Sequence, residues 1–143
     1  MTVVGIDLGG TKVAAASLRD RELGPAAVEH TDSSGQAGLL DQLAALVKRV
    51  KCDTLEAVGI GVPSVVEFET GRVISSVNVP LVDVAIRQVL GERLGVPVFV
   101  DNDATVAALA EAHDEQLRMV AKNLVMITVG TGIGGGLVLG GRI

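Results

Sequence analysis

The beginning of the chain places the strongest constraint on its fold. An apolar run from Thr2 to Leu8 ends at a Gly-Gly-Thr turn, and a second apolar run follows from Val13 to Leu18. Short apolar runs of this kind predict two strands joined by a tight turn. The fold therefore starts with a sheet.

Helices and strands alternate after this opening. Apolar residues recur at helical spacing from Gln36 to Val50 and from Val82 to Leu94, whereas Ala57 to Val62 is a short apolar run that stops at a proline. These patterns predict two amphipathic helices and one buried strand. A further helix is predicted from Asp101 to Ala112 and a closing pair of strands around the glycine-rich run 130–136. The succession indicates an α/β fold, a mixed sheet with helices on both faces.

Composition excludes several functions. Aromatic residues make up 1% of the chain, so bases or sugar rings have almost nothing on which to stack. The formal net charge is −5 and no basic run occurs, so nucleic acid is not an expected partner. The single cysteine, together with the absence of a signal peptide or a long apolar segment, predicts a cytoplasmic protein with no membrane partner.

Two glycine-rich turns are candidate phosphate sites. In the first, glycines let the backbone approach a phosphate while hydroxyl and ammonium groups donate to its oxygens, and Asp7 is placed to hold Mg²⁺ through water. Its candidate residues are Asp7, Gly9, Gly10, Thr11 and Lys12. The second turn offers Gly130, Thr131, Gly132 and Gly134. An ordinary glycine hairpin is the alternative for each turn taken alone, but two such turns in one chain favour the phosphates of a nucleotide.

Polar residues are candidates for catalysis where a predicted strand from Val96 to Val100 meets the predicted helix from Asp101. Phosphoryl transfer to a hydroxyl needs a carboxylate that accepts its proton, and Asp103 is of that type, with Asn102 as a sugar contact. Plain helix capping is the alternative for this stretch, and for Asp101 in particular. Asn78, shortly before Pro80, is either a sugar contact or a turn former.

Five motifs occur in a fixed order along the chain: DLGGTK, GIGVPS, SSVNVPL, VFVDNDA and ITVGTGIGGGLV. In order and spacing they resemble the ROK family of sugar kinases and repressors. The resemblance implies an actin-like (ribonuclease H-like) ATPase fold, ATP as donor with Mg²⁺, and transfer to the 6-hydroxyl of an aldohexose such as glucose. It also implies an N-terminal lobe over residues 1–121 and the first hairpin of a second, nucleotide-binding lobe over residues 122–143.

The resemblance assigns roles residue by residue. It implies Asp103 as the catalytic base, with Asn102 and Asn78 as sugar contacts. Ser64, a further candidate sugar-site residue, stands where many relatives have glycine, and the sugar loop lacks the tryptophan that usually follows its Asn-x-Pro. These two departures leave the identity of the hexose open.

Length is the largest departure from the family pattern. Its members continue well beyond this length and carry a Glu-x-x-x-His sugar element and a cysteine-rich structural zinc site, neither of which occurs here. We therefore expect an incomplete kinase with little or no turnover by itself, because domain closure is what excludes water. A non-catalytic sugar-binding or assembly fragment is one alternative. A repressor is another, although DLGGTK begins at Asp7 and leaves no room before it for a helix-turn-helix.

The closing hairpin bears on assembly. It carries apolar residues that a second lobe would cover: Val125, Ile127, Val129, Leu137 and Leu139. Left bare, such a hairpin packs back on its own lobe, pairs with a second copy or is disordered. We expect a two-fold homodimer in which the hairpins or the terminal helices meet, since a self-complementary patch closes most simply in that way.

Overall fold

A computed structural model describes residues 2–51, 54–129 and 133–143. The strands are Thr2–Leu8 (β1), Lys12–Arg19 (β2), Glu22–Leu23 (β3), Ala27–His30 (β4), Ala57–Val62 (β5), Ser64–Glu67 (β6), Arg72–Ser76 (β7), Val84–Ala85 (β8), Val98–Asn102 (β9), Leu124–Val129 (β10) and Ile133–Val138 (β11). The helices are Gln36–Val50 (α1), Ile86–Leu94 (α2) and Asp103–Glu111 (α3). None of the described helices is long and apolar enough to cross a membrane.

The main sheet is mixed and has six strands. Its order is β3-β2-β1-β5-β9, with β4 also paired to β2. The pair β1 and β2 is antiparallel, whereas β5 lies parallel to both β1 and β9. The predicted strand-turn-strand opening is therefore confirmed, and the parallel strands end at one common edge of the sheet.

One face of this sheet is covered by α1 and α2. Alternate strand residues point to it, and they are almost fully buried together with the apolar stripe of α1. Leu39, Leu43 and Leu46 in the helix meet Ile6, Ile60 and Val100 in the strands within this core. The regular aliphatic spacing of the helix is what produces this continuous core.

The opposite face carries small residues and is largely open. Gly5, Ala16 and Gly59 lie along it, and it forms a groove of about 1010 Å³. Phe99, which also lines the groove, is 60% exposed. Helix α3 begins on this side of the sheet, so helices lie on both faces as the sequence predicts.

The last two strands form a separate ribbon against α3. Strands β10 and β11 pair only with each other among the described strands. Their inner residues, with Val138 fully buried, pack on Ala108 and Ala112 of the helix. Their outer residues stay exposed, including the five apolar side chains identified from the sequence. The ribbon thus packs on α3 through one face only.

The second helix begins later than its sequence predicts. We predict a helix from Val82, but the chain first forms β8, in which Val84 pairs with Val73, and the helix starts at Ile86. Asp83 has a φ of 53°, a left-handed backbone angle that no α-helix accommodates. Gly95 ends this helix in the left-handed conformation, as expected for a glycine cap.

Candidate functional site

Three neighbouring strands place two carboxylates in one row of the sheet. Asp7 of β1 is paired with Gly61 of β5, and Gly61 is paired in turn with Asp101 of β9. Residues in one row of a sheet point to the same face, and neighbouring strands lie about 4.8 Å apart. The two carboxylates therefore flank the bare backbone of Gly61 on the open face, where both line the groove.

The first glycine turn has a fixed shape. The Gly9 N–H donates to the Lys12 carbonyl oxygen at 2.9 Å, and a Cβ added at Gly9 would lie 2.9 Å from that same oxygen. Thr31, just after β4, clasps the turn: its Oγ1 donates to the Gly9 carbonyl at 2.7 Å and its N–H to the Thr11 carbonyl at 2.9 Å. Thr11 and Lys12 remain exposed, with their donors available to an anion.

This turn lies directly against the loop that carries Asn78. A Cβ added at Gly10 would come within 3.0 Å of the Asn78 Cβ and 3.2 Å of its carbonyl oxygen. No larger residue fits at position 10 without displacing the loop. Among the predicted residues, a candidate phosphate turn and a candidate sugar contact are thus in van der Waals contact.

Asn102 caps helix α3. Its Oδ1 accepts the N–H groups of Ala104 at 3.0 Å and Thr105 at 3.2 Å, while its Nδ2 donates to the Ser64 carbonyl oxygen at 3.4 Å. The capping alternative therefore falls on Asn102 rather than on Asp101, whose Oδ1 accepts the N–H of Asn102. The Asn102 side chain thus fixes the start of the helix. Its role as a sugar contact stays a prediction.

Asp103 is the first residue of this helix and is partly exposed. One carboxylate oxygen, Oδ1, accepts the N–H of Ala104 at 2.8 Å. A carboxylate is the type of side chain that accepts a proton from a hydroxyl in phosphoryl transfer.

Ser64 is buried close to this junction. It is 6% exposed, and its hydroxyl oxygen has no hydrogen-bond partner among the described atoms. Its neighbour Pro63 accepts a hydrogen bond from the Ser76 hydroxyl at 3.3 Å. A buried polar atom without a partner is unusual in a folded chain. Ser64 remains a predicted sugar-site residue.

The second glycine turn falls largely outside the described residues, since Gly130, Thr131 and Gly132 are not among them. Gly134 is described, and a Cβ there would lie 2.6 Å from the Thr128 hydroxyl and 3.4 Å from the Ala104 methyl. Within residues 2–51, 54–129 and 133–143, no group of three acidic, histidine or cysteine side chains is placed to hold a metal. Asp7 as a water-mediated Mg²⁺ ligand stays a prediction.

Two residues of the site are missed by the sequence analysis. Thr31 clasps the first turn, and Gly61 separates Asp7 from Asp101 while touching the start of α3. Both act through contacts between segments that are distant in sequence. The motif GIGVPS contains Gly61, but nothing local distinguishes it from Gly59 in the same motif.

Comparisons with known proteins find similar sugar kinases. The chain is 36% identical to a glucokinase of Halalkalibacterium halodurans, over 98% of this chain and 44% of that protein. It is 34% identical to an N-acetyl-D-glucosamine kinase of Aliivibrio fischeri, over 96% of this chain and 46% of that protein. The chain therefore spans less than half the length of these curated relatives.

A solved structure of a similar protein has the same fold as this chain. A ROK family glucokinase from Streptomyces griseus, in complex with glucose and AMPPNP, superposes with a TM-score of 0.87 at 29% identity. The match covers 99% of this chain and 46% of that one. The predicted α/β fold of the actin-like ATPase type is confirmed.

The family model itself covers almost every residue. The ROK family model matches residues 3–143, a range that includes all five sequence motifs. The chain belongs to the ROK family.

Proposed function

We propose that this chain carries the base-bearing half of an ATP-dependent hexose kinase that phosphorylates the 6-hydroxyl of an aldohexose, with glucose as the preferred substrate. The observation that carries the proposal is the convergence at one sheet edge. The turn at Gly10 touches Asn78, and Asp103 begins a helix directly above the row of Asp7, Gly61 and Asp101. A phosphate site, a sugar contact and a base are the parts that phosphoryl transfer to a sugar requires.

The proposed reaction assigns a proton and a bond to named groups. Asp103 accepts the proton of the 6-hydroxyl, and the freed oxygen attacks the γ-phosphorus of ATP. The bond between that phosphorus and its bridging oxygen breaks, and ADP leaves. Asn78 and Asn102 hold the sugar, and Ser64, whose carbonyl oxygen accepts a hydrogen bond from Asn102, is a further proposed sugar-site residue. Most of the rate in such a reaction comes from positioning and charge stabilisation.

The first turn fits a bound nucleotide phosphate. Gly9 and Gly10 leave no space for a Cβ, Thr11 and Lys12 are exposed donors, and Asp7 lies exposed at the end of β1. Mg²⁺ held through water by Asp7 would supply positive charge to the phosphate oxygens. Gly130, Thr131, Gly132 and Gly134 are the proposed second phosphate contact. We place the protein in the cytoplasm, where ATP is its donor.

The test of the base is Asp103→Asn in the protein at its full natural length. Loss of the base should lower kcat by about 10² or more while sugar affinity changes little. Asp101→Asn is the matched control, because an amide oxygen still accepts the Asn102 N–H and turnover should be largely kept. A variant of Asp103 with near-normal kcat would refute its role.

The substrate class needs its own measurement. We expect a higher kcat/KM for glucose than for N-acetylglucosamine, and detectable binding of glucose to the 143-residue chain by calorimetry. Titration with Mg-ATP in a separate experiment tests the phosphate turn. Sugar binding without turnover at full natural length would instead support a non-catalytic binding protein.

A further inference from the structure

Strand β5 carries two glycines that point to the same face of the sheet but have different surroundings. Gly59 and Gly61 are two residues apart, and their neighbours Ile60 and Val62 are buried against α1 and α2. Both glycines therefore face the opposite, open side. Gly59 is exposed there, whereas Gly61 is buried.

The space around the two glycines differs sharply. A Cβ added at Gly59 would meet nothing within 4 Å. A Cβ added at Gly61 would lie 3.3 Å from the Cα and 3.7 Å from the Cβ of Asp103. A distance of 3.3 Å is tighter than nine in ten real Cβ contacts. The backbone at Asp103 would therefore have to move by a few tenths of an ångström.

Backbone conformation does not explain the glycine at position 61. The described glycines with positive φ are 35, 71, 95, 140 and 141, and position 61 is a regular strand residue paired on both sides. An alanine would adopt the same angles without strain. A side chain at position 61 is instead opposed by the close approach of α3 at Asp103.

The first turn of α3 is also held from its other sides. Asn102 is paired with Val62 in the sheet and caps the helix through its own side chain. From the ribbon, Gly136 sits so close to the helix that a Cβ there would overlap the Ala104 carbonyl oxygen and the Ala108 methyl. A methyl group at position 61 therefore acts on a segment with little room to move.

We propose that Gly61 is a positioning residue that sets the height of the Asp103 carboxylate above the sheet. Its bare backbone lets α3 start in contact with β5, in the row that also carries Asp7 and Asp101. The inference rests on the proposed role of Asp103 as the base. Gly61 touches no substrate and acts through Asp103 alone.

The expected effect is on turnover. A displacement of about 1 Å at a reacting group costs on the order of 10²-fold in rate, so a shift of a few tenths should cost kcat about threefold to tenfold. Gly61→Ala should show this loss with a smaller change in KM for the sugar. Gly59→Ala, on the same strand and face, should keep both constants, because its methyl group enters open space.

The comparison is made at full natural length, at a temperature at which both variants are fully folded. Equal kcat values for the two variants would overturn the inference. A loss in Gly61→Ala that appears only as a higher KM would also overturn it. If the single variant Gly61→Ala does not fold, the substitution is made in the Gly59→Ala background, which should be more stable. The double variant is then compared with Gly59→Ala.

A second readout does not depend on catalysis. In the ¹⁵N-labelled 143-residue chain, Gly61→Ala should shift the backbone amide resonances of residues 102–105, and Gly59→Ala should leave them in place. Unshifted amides in Gly61→Ala would refute the inference even in an active kinase. Shifted amides in a protein that phosphorylates no sugar would refute the proposed function, and with it the role of Gly61 in positioning a base.

Discussion

The two faces of the main sheet are built from the same strands but differ in every other respect. Toward α1 and α2 the strands present Ile and Val, which are buried in a continuous aliphatic core. Toward the open side the same strands present Gly, Ala and two carboxylates, with Phe99 largely exposed. The difference shows that stability is concentrated on one face, while the candidate site occupies the edge of the other.

The largest test of this comparison uses one substitution on each face. Leu43→Ala removes a fully buried side chain of α1 and should lower the free energy of unfolding by about 2–5 kcal/mol. Leu23→Ala, at a position that lines the groove and is 73% exposed, should change it by less than about 0.5 kcal/mol. Urea denaturation measures both, and similar losses would mean that the open face is covered in solution.

Assembly is the second test, because an exposed apolar face is where a second copy would dock. We expect a homodimer through the outer face of the ribbon, and Ile127→Glu should convert it to a monomer. Phe99→Glu is the matched control on the open sheet face and should leave the dimer intact. Light scattering over a concentration series measures the mass. A monomeric wild-type chain at high micromolar concentration would contradict the dimer.

A smaller effect is expected at Gly59. Since a methyl group there meets nothing within 4 Å and the strand angles suit alanine, Gly59→Ala should stabilise the fold by about 0.4–1 kcal/mol. The gain comes from the reduced freedom of the unfolded chain. Thermal unfolding measures it, and a loss of stability would show that something already occupies the space above Gly59.

The smallest effect concerns Glu29, at the rim of the covered face. Its carboxylate accepts a hydrogen bond from Gln42 at 3.0 Å and pairs with Arg49, and these contacts lower its pKa below the usual 4.5. A lowered pKa stabilises the fold above the unfolded-state value, and this contribution is lost as the pH falls through the folded-state value. Glu29→Gln should therefore lower the melting temperature slightly near pH 7, and the difference should shrink as the pH falls through the lowered pKa of Glu29. A difference that persists in acid would point to a cause other than charge.

The sequence predicts the parts of this fold that depend on local periodicity. The bounds of α1, Gln36–Val50, agree with its apolar spacing, since four turns of regular pattern leave little ambiguity. The exposed outer face of the ribbon is also confirmed. The boundary between lobes at residue 122 and the roles of the site residues stay predictions.

What the sequence does not predict depends on contacts between distant segments. The start of α2 is displaced because Val84 pairs with Val73, and the clasp at Thr31 forms because β4 returns beside β2. Nothing within GIGVPS separates an open glycine from one in contact with Asp103. Such contacts follow from how the elements pack, so periodicity and local motifs carry no signal for them.

The strand order has a consequence for synthesis on the ribosome. Strand β1 lies between β2 and β5, and β5 is completed by β9, which ends at Asn102. The opening hairpin can form early, but the free edge of β1 stays unpaired until β5 has been made. The free edge of β5 stays unpaired until β9 has been made. Exposed edges of this kind are open to wrong partners while the chain grows. The nascent chain therefore carries an unfinished sheet until residue 102 has been made, and slowing translation before that residue prolongs the exposure.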